Sequence, residues 1–455
     1  MEIERLMRKA DELARKYGIK YYEARVVKIN ATHLEMQNSH LEELSSNIEI
    51  GIGVRAFCGA WGFSSANDMR RAEKAMKTAM KIAKLMKGNS EVYLDDPTKD
   101  RVEIKANKPF MDMDLEERLE LVKTVDKLLT DNRVVNRKVT YGDGLRWQFY
   151  FNSLGSEIET VIPRIRLGFS ATAKEGNDMQ NYWKIFGGTG GWEIIENVDL
   201  NHWTAFVKEK AKSLLNAQLP PSGEFDVIMD PELAGVFIHE ALGHASEGDA
   251  VKNGESILEG KLGEKIAVEE LTVVDDPTLE GKFGSYIYDD EGIKARRVEI
   301  IKDGLLNEYL LDRETAAYLN MEPNGHSRAQ SYNYEPLVRM SNTYIEPRDW
   351  SFEEMLGEVK SGLYLVGDKG GEVDIANGTF MFGAKEGYLI ENGEIKAHIR
   401  DIALSGKILD VLKNIRAIGR DLKVEFPGYC GKGQWVPVDG GSPHILTKAL
   451  VGGLL

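Results

Sequence analysis

The chain has little cysteine, no long apolar stretch and no run of basic residues, and each lack excludes a class of protein. Only Cys58 and Cys430 occur among its 455 residues, too few for a secreted scaffold built on disulfides. No window approaches the roughly 18 consecutive apolar residues that a membrane-spanning helix needs. A net charge of −15 without a Lys or Arg tract makes nucleic acid an unfavourable direct partner.

What is present is typical of a globular protein. Hydrophobic residues make up 42% of the chain and charged residues 29%, and the length predicts two or three domains. Residues 1–18 form a charged amphipathic pattern without the apolar segment of a signal peptide. Together with the scarcity of cysteine, this pattern predicts a reducing, cytoplasmic location with no membrane partner.

The order of helical and strand patterns predicts an α+β fold. We expect an N-terminal α/β part at residues 1–105, a middle α+β segment at 106–221, and a large strand-rich C-terminal domain at 222–455 that carries the metal-site helix. Proline-containing stretches near residues 95–97 and 219–221 mark the two boundaries. In the last part, Asp-Gly at 303–304 and Asn-Gly at 392–393 predict tight hairpin turns.

The segment EFDVIMDPELAGVFIHEALGHASEGD, residues 224–249, carries the chemistry. Asp230 is a suitable helix N-cap, and Pro231 fits the first helical position, where its missing N–H does no harm. His239, Glu240 and His244 follow two turns later. Two imidazoles beside a carboxylate are the residue types of a zinc hydrolase, with Glu240 as the general base.

The spacing of the two histidines differs from the common His-Glu-x-x-His pattern by one additional residue. On a regular α-helix, positions i and i+5 lie about 140° apart at roughly 100° per residue, so the two rings would diverge. Shared metal binding therefore predicts a π-type turn near residues 241–244 or a helix end at Gly243. The alternative is a pair of helix histidines that are hydrogen-bonded within a core.

The third ligand is left open by spacing alone. Cys430 lies in the glycine-rich turn PGYCGKGQ, which would expose its sulfur, although an inert buried thiol is the alternative. The carboxylate candidates are Glu247, Asp249, Asp289 and Asp290. Cys58 lies in an apolar, strand-like run and is predicted to belong to the core.

Three further residues are candidate substrate contacts, each with a structural alternative. Arg339 and Asn342, in the segment RMSNT, could bind substrate or an oxyanion, or could form a buried ion pair and a turn cap. His326 could contact substrate or support the site, or it could be an ordinary loop histidine.

Five segments taken together resemble the TldD/PmbA family, in its TldD-type zinc metallopeptidase branch, over essentially the whole chain. They are GIGVRAFCGAWGFSS, HEALGHASEGD, DDEGIKARRVEIIKDGLL, PLVRMSNTYIEP and YCGKGQWVPV. The resemblance implies that His239, His244 and Cys430 bind zinc and that Glu240 is catalytic. It also implies peptide or unfolded polypeptide substrates, and a homodimer or a heterodimer with a paralogous, metal-free TldE/PmbA-type subunit.

The resulting hypothesis is a zinc-dependent peptidase that activates water with zinc and Glu240. One alternative is a structural-zinc binding or chaperone-like module, in which a fourth protein ligand such as Glu247 would complete the metal site. Another is a non-peptide metallo-amidohydrolase, which would need a narrow closed pocket. A third is an interaction subunit whose activity resides in its partner. Exposed strand edges of the C-terminal part could bind an extended peptide by main-chain pairing.

Overall fold

The fold is α+β, as predicted, and a computed structural model describes residues 2–86 and 88–453. The N-terminal part begins with an amphipathic helix and three strands, followed by a second helix and a short strand. Their bounds are α1 Glu2–Tyr17, β1 Tyr21–Gln37, β2 His40–Phe57, β3 Trp61–Ala66, α2 Ala72–Leu85 and β4 Lys99–Glu103. Strand β1 runs without interruption through Asn30, which pairs with Ile48 of β2 and Leu145 of β5.

The middle segment continues with a helix, three long strands and two helices. These are α3 Leu115–Leu128, β5 Val134–Asn152, β6 Glu157–Glu175, β7 Asp178–Thr189, α4 Glu193–Glu196 and α5 Leu200–Leu214. In α3, Asp114 and Glu117 form a capping box that satisfies the first free N–H groups of the helix.

The strands before and after residue 105 belong to one seven-stranded sheet. Its order is β3-β2-β1-β5-β6-β4. Strand β4 pairs with residues 157–161 of β6, and β7 pairs with residues 164–175 of the same strand. Helices α1 and α2 cover one hydrophobic cluster on this sheet, and α3 and α5 cover a second. The sheet continues across residue 105, whereas the two hydrophobic clusters are separate. The domain boundaries predicted at residues 105 and 221 remain proposals.

The C-terminal part contains many short strands and helices. It begins with β8 Gly223–Met229 and α6 Pro231–Ile238, then a π-helical turn at His239–Gly243 and a 3₁₀ turn at His244–Ser246. The remaining elements are α7 Gly248–Lys252, β9 Val273–Asp275, β10 Val298–Lys302, β11 Leu305–Leu306, α8 Arg313–Leu319, β12 Ser327–Arg328, β13 Leu337–Val338, β14 Asn342–Ile345, α9 Phe352–Glu358, β15 Ser361–Asp374, β16 Thr379–Glu391, β17 Glu394–Ile399, β18 Ile402–Lys407, α10 Ile408–Lys413, β19 Ala417–Ile418, β20 Lys423–Val424, β21 Gly428–Gly431, β22 Trp435–Ser442 and β23 Ile445–Gly453.

Two larger sheets of this part enclose helix α6. One has the order β11-β10-β9-β14-β22-β20, with β21 paired to β22. The other has the order β15-β8-β23-β18-β16-β17, and a further pairing of β15 with β16 closes five of its strands into a ring. Helix α6 packs against β14, β15 and β22, and its apolar side chains belong to the largest hydrophobic core. The metal-site helix is therefore held on both sides by sheets.

Both predicted hairpin turns are confirmed. Asp303 and Gly304 join β10 to β11 with φ values of 48° and 77°, and Asn392 and Gly393 join β16 to β17 with 51° and 77°. Positive φ at both central positions matches the right-handed twist of the flanking strands. Within the described ranges, the helices are all too short or too polar to cross a membrane.

Candidate active site

Helix α6 begins where the sequence predicts it to begin. The side chain of Asp230 accepts a hydrogen bond from the N–H of Leu233 at 2.9 Å, and Pro231 occupies the first helical turn. Strand β8 ends at Met229, so the cap also fixes where the chain leaves the sheet. His239 and Glu240 then follow at the end of the buried helix.

Of the two predicted alternatives, a wider turn or a helix end at Gly243, the structure has the wider turn. The N–H of His244 donates to the carbonyl of His239, five residues earlier, which is a π-type hydrogen bond. The centroids of the His239 and His244 rings lie 5.5 Å apart, with an 86° angle between the ring planes. Gly243 is packed closely against Met340, because a Cβ atom there would lie 1.9 Å from Sδ of Met340 and would force that side chain to move. The additional residue is thus absorbed by the wider turn, and the two imidazoles converge.

Cys430 comes to the histidine pair from the far end of the chain. It lies on β21, which pairs with β22, and its Sγ is 3.2 Å from Nε2 of His244. One donor atom from each of His239, His244 and Cys430 lies within 4.8 Å of the others. Two imidazole nitrogens and one sulfur form a donor set that suits zinc and leaves a fourth position for water or substrate.

The local charges favour a cation among these three donors. Burial alone would raise the pKa of the Cys430 thiol, but the charges and hydrogen bonds of His239 and His244 outweigh it and lower that pKa to about 4. Burial alone would lower the pKa of His244, but Glu247 and Cys430 raise it well above its usual value. A thiolate is the form of cysteine that binds a metal, so the donor set fits a zinc ion.

Glu247 supports His244 from the side opposite Cys430. Its Oε2 accepts from Nδ1 of His244 at 3.1 Å and from Nζ of Lys432 at 2.8 Å. Burial opposes ionisation of Glu247, but His244 and Lys432 lower its pKa to about 2. A carboxylate at one ring nitrogen fixes the orientation of the ring and leaves the other nitrogen free for a metal.

Arg339 is fully buried behind the same turn. Its guanidinium donates to the carbonyls of Cys430 and Gln434, and its Nε lies 4.0 Å from Oε1 of Glu247. Arg339 therefore holds the Cys430 turn in place. This resembles the structural alternative predicted for Arg339, a buried ion pair, more than a substrate contact.

The other carboxylate candidates for a third ligand are bonded elsewhere. Asp249 pairs with Lys432 at 2.7 Å. Asp289 accepts from the N–H groups of Glu291, Ile293 and Ser327. Asp290 pairs with Arg146 and Arg25. Among the described residues, the histidines and Cys430 are the group of potential ligands that converges.

The structure does not bring Asn342 or His326 to the metal donors. Asn342 is buried and bonds the main chain of Asp276 and Gly284. His326 is buried, and its Nε2 lies 3.0 Å from Oδ1 of Asp275. Both placements match the structural alternatives, so we leave these residues out of the proposed substrate site. Cys58, expected in the core, is only half-buried and packs at the edge of the cluster under α1 and α2.

A cavity of about 230 Å³ opens beside the donors and is lined by His239, Glu240 and Cys430. The Glu240 carboxylate is about one-third exposed, and its Oε2 lies 3.6 Å from Nε2 of His244. The opposite wall comes from the middle segment, through Arg166 on β6 and through strand β7. The wall residues on β7 are Trp183, Lys184 and Ile185. These middle-segment residues carry no motif that could have identified them from the sequence.

Comparison with known proteins places the chain in a family. Residues 22–83, 108–219 and 222–453 match family models described as the PmbA/TldA metallopeptidase domain 1, central domain and C-terminal domain. A protein named metalloprotease from Methanothermobacter thermautotrophicus is 41% identical over 438 residues, which cover 96% of each chain. A protein named zinc metalloprotease TldD homolog from Saccharolobus solfataricus is 33% identical and covers 98% of this chain and 99% of its own.

Two solved structures share the fold at lower identity. A putative modulator of a DNA gyrase from Thermotoga maritima has a TM-score of 0.82 at 22% identity, covering 99% of this chain and 100% of its own. TldE from Thermococcus kodakarensis has a TM-score of 0.80 at 19% identity and covers all of both chains. On the strength of the three matched domains and the close relatives, the chain belongs to the PmbA/TldD family of metallopeptidases.

Proposed function

We propose that the chain is a zinc-dependent peptidase that holds its metal with His239, His244 and Cys430 and uses Glu240 as general base. The observation that carries the proposal is the convergence of two imidazoles and a thiol, from positions 186 residues apart, beside a carboxylate in an open cavity. Related proteins that cover nearly the whole chain are named metalloproteases, which supports the same class of activity.

The chemistry divides between the metal and Glu240. Zinc in such a site would act as a Lewis acid, which lowers the pKa of a bound water molecule and polarises the carbonyl of the substrate. Glu240 is the carboxylate beside the donor atoms, so it accepts a proton from the attacking water and delivers it to the leaving amine. The buried Glu247 keeps Nδ1 of His244 occupied and so directs Nε2 toward the cavity.

The placement of Glu247 supports a catalytic rather than a structural metal. A structural zinc site commonly has four protein ligands. Glu247 was the candidate for the fourth, but its carboxylate contacts Nδ1 of His244, while Cys430 contacts Nε2 of the same ring. Three ligands beside a cavity leave a position for water or substrate.

An extended groove supports a peptide substrate over a small amide. The metal cavity shares Arg166 and Tyr429 with a second cavity of about 420 Å³. It shares Lys184 and Phe426 with a third of about 490 Å³. A small-molecule amidohydrolase needs only one closed pocket, whereas three adjoining cavities accommodate a chain.

Strand β7 is the sheet edge that runs along this groove. Among the strands of the described ranges it pairs with β6 alone, and the N–H of Thr189 donates away from β6 to the carbonyl of Gly281. Main-chain groups alternate in direction along an antiparallel strand, so the main-chain N–H and C=O groups of Ile185 and Trp183 also point away from β6. Both residues line the metal cavity. We propose that peptide binds there by strand addition, on an edge of the middle segment rather than of the C-terminal part. A peptide complex without strand pairing would contradict this.

We also propose an assembly with a second subunit, either another copy or a metal-free paralogue of the TldE type. The shared fold with TldE from Thermococcus kodakarensis supports such a pairing. Strand β2 also exposes several large apolar side chains that a partner could cover. They are Leu41, Leu44, Ile48 and Ile50. Light scattering of the purified chain, alone and with a paralogue, tests the assembly.

The proposed activity is tested by metal analysis and peptide hydrolysis on the same preparation. We expect one zinc per chain and hydrolysis that is lost on chelation and restored by zinc. Glu240→Gln should keep the zinc and lose hydrolysis by at least 100-fold, because general-base catalysis contributes about 10²–10⁴. Glu255→Gln, at an exposed position, is the matched control. Turnover by zinc-loaded Glu240→Gln would exclude the base role, and hydrolysis that survives complete zinc removal would exclude the proposed function.

A further inference from the structure

Two arginines of strand β6 face the groove beside the metal cavity. Arg164 and Arg166 are two residues apart, so their side chains lie on the same face of the sheet. The alternate residues Ile165 and Leu167 are fully buried in the core on the other face. Arg166 lines both the metal cavity and the second cavity, and Arg164 lines the second. Arg166 therefore lies beside the metal donors, and Arg164 lies next to Arg166 on the same face of the sheet.

Neither arginine has a carboxylate within 4 Å in the described part of the chain. Arg164 donates to the main-chain carbonyls of Phe283 and Ser285, at 2.8 Å each. Nε of Arg166 is buried without a hydrogen-bond partner, and the guanidinium lies 5.7 Å from the ring centroid of Tyr429. Buried charges are ordinarily paired, so the partly buried guanidinium of Arg166, which lines a cavity without a carboxylate partner, is suited to bind an anion.

The other cations of the metal cavity differ from Arg166 in this respect. Lys184 and Lys385 both pair with Glu232. In the second cavity, Arg146 pairs with Asp290 at 2.7 Å. Burial lowers the pKa of Arg166, and the neighbouring Tyr429 opposes that effect only in part.

Glycines on the neighbouring strands leave room beside the two arginines. The cross-strand neighbours of Arg166 are Gly142 on β5 and Gly187 on β7, and Gly144 lies opposite Arg164. A Cβ atom at Gly142 or Gly144 would have no neighbouring atom closer than 3.8 Å, so there is free space on this part of the sheet face. The sheet face is therefore open where a side chain would otherwise cover the guanidinium groups, and a flat, forked group could approach them.

We propose that Arg166, supported by Arg164, binds a carboxylate of the peptide substrate in the second cavity, next to the metal. A guanidinium matches a carboxylate with two parallel hydrogen bonds. The carboxylate is either the α-carboxylate of a peptide C-terminus or an Asp or Glu side chain a few residues from the cleavage point. The proposal rests on the proposed function for the identity of the ligand as a peptide, but not on hydrolysis.

Equilibrium binding of three labelled peptides tests the proposal without turnover. The protein is the full chain with Glu240→Gln, which prevents cleavage, and the readout is fluorescence anisotropy. The probes are an alanine pentapeptide with a free C-terminal carboxylate, the same peptide as its amide, and an amide with a central glutamate. Arg166→Gln and Arg166→Lys are compared with Arg101→Gln, which removes an exposed arginine from the same sheet.

We expect at least one acidic peptide to bind about tenfold or more tightly than the neutral amide, as a charge-assisted pair allows. Arg166→Gln should abolish that preference, Arg166→Lys should keep part of it, and Arg101→Gln should keep all of it. Preference for the free C-terminus, for glutamate or for both identifies the source of the carboxylate. Equal binding of all three peptides, or an unchanged preference in Arg166→Gln, would overturn the proposal. A carboxylate preference in a chain without zinc-dependent hydrolysis would refute the proposed function and leave this site standing.

Discussion

Nδ1 of His244 lies 3.1 Å from the Glu247 carboxylate, while Nε2 of the same ring lies 3.2 Å from the Cys430 sulfur. One imidazole is thus held between an anchor and a proposed fellow ligand. Glu247 is held in turn by Lys432, two residues after Cys430. The turn that supplies the sulfur and the helix that supplies the imidazoles are therefore connected through one buried carboxylate.

Replacement of Glu247 by Gln should weaken zinc binding about 10- to 100-fold, the usual effect of losing a carboxylate behind a metal-binding histidine. The amide keeps the size of the side chain but loses the charge that orients His244 and attracts Lys432. Competition with a chromophoric zinc chelator measures the affinity. Glu269→Gln, at a position whose side chain is 80% exposed, is the control. Equal zinc affinity in Glu247→Gln and the control would mean that Glu247 has no part in holding the ring.

Cobalt substitution tests whether the Cys430 sulfur binds the metal. We expect the cobalt-loaded chain to show a near-ultraviolet thiolate-to-metal charge-transfer band that Cys430→Ser removes. Cys58→Ser should leave the band intact, since Cys58 lies elsewhere in the fold and contacts Gly18 and Lys84. A band that persists in Cys430→Ser would show that the sulfur is not a ligand.

Gly243→Ala should disturb the π-type turn, because the new methyl group would meet the Met340 sulfur at 1.9 Å. Overpacking of this kind lowers the free energy of unfolding by about 1–3 kcal/mol or more. Urea denaturation and zinc content are the measurements. Gly357→Ala is a matched control in helix α9, where a Cβ atom meets nothing within 4 Å. It should be neutral or stabilising by about 0.5–1 kcal/mol. Wild-type stability in Gly243→Ala would contradict the steric reason for this glycine.

Asp439 should make the chain less stable as the pH rises from about 4 to 6. Burial raises its pKa to about 6, although the N–H groups of Phe283 and Phe426 partly oppose the shift. The folded chain therefore keeps a proton that the unfolded chain has lost above its pKa of about 3.9. The contribution of Asp439 to stability is complete below that value and is lost as the pH passes through 6. At 1.36 kcal/mol per unit, the total is about 3 kcal/mol.

The measurement is urea denaturation across this pH range for the wild type and Asp439→Asn. The neutral amide should remove this share of the pH dependence, whatever its own effect on stability. Asp303→Asn, at a position whose side chain is 63% exposed, should retain the wild-type slope. A slope that is the same in all three proteins would assign the titration to other groups.

Local patterns in the sequence were sufficient to predict features that depend on a few neighbouring residues. The cap at Asp230, the proline at 231 and the two hairpin turns depend on backbone preferences within a few residues, so they could be predicted. Geometry predicted either a π-type turn or a helix end at Gly243, because five-residue spacing on a regular helix separates the rings, and the structure has the π-type turn. The motif and the family resemblance together supplied Cys430 as a candidate but could not measure its distance.

Only the tertiary structure decided what surrounds these residues. Cys430 reaches His244 across 186 residues because β21 pairs with β22, which packs against helix α6. Arg166 and strand β7 form the opposite wall of the cavity because two separately predicted parts of the chain fold against each other. The same packing buries Arg339, Asn342 and His326 away from the cavity. Hydrophobic periodicity tells which side chains are buried, but not which distant surfaces meet, because those contacts arise from the joint packing of sheets and not from any local window.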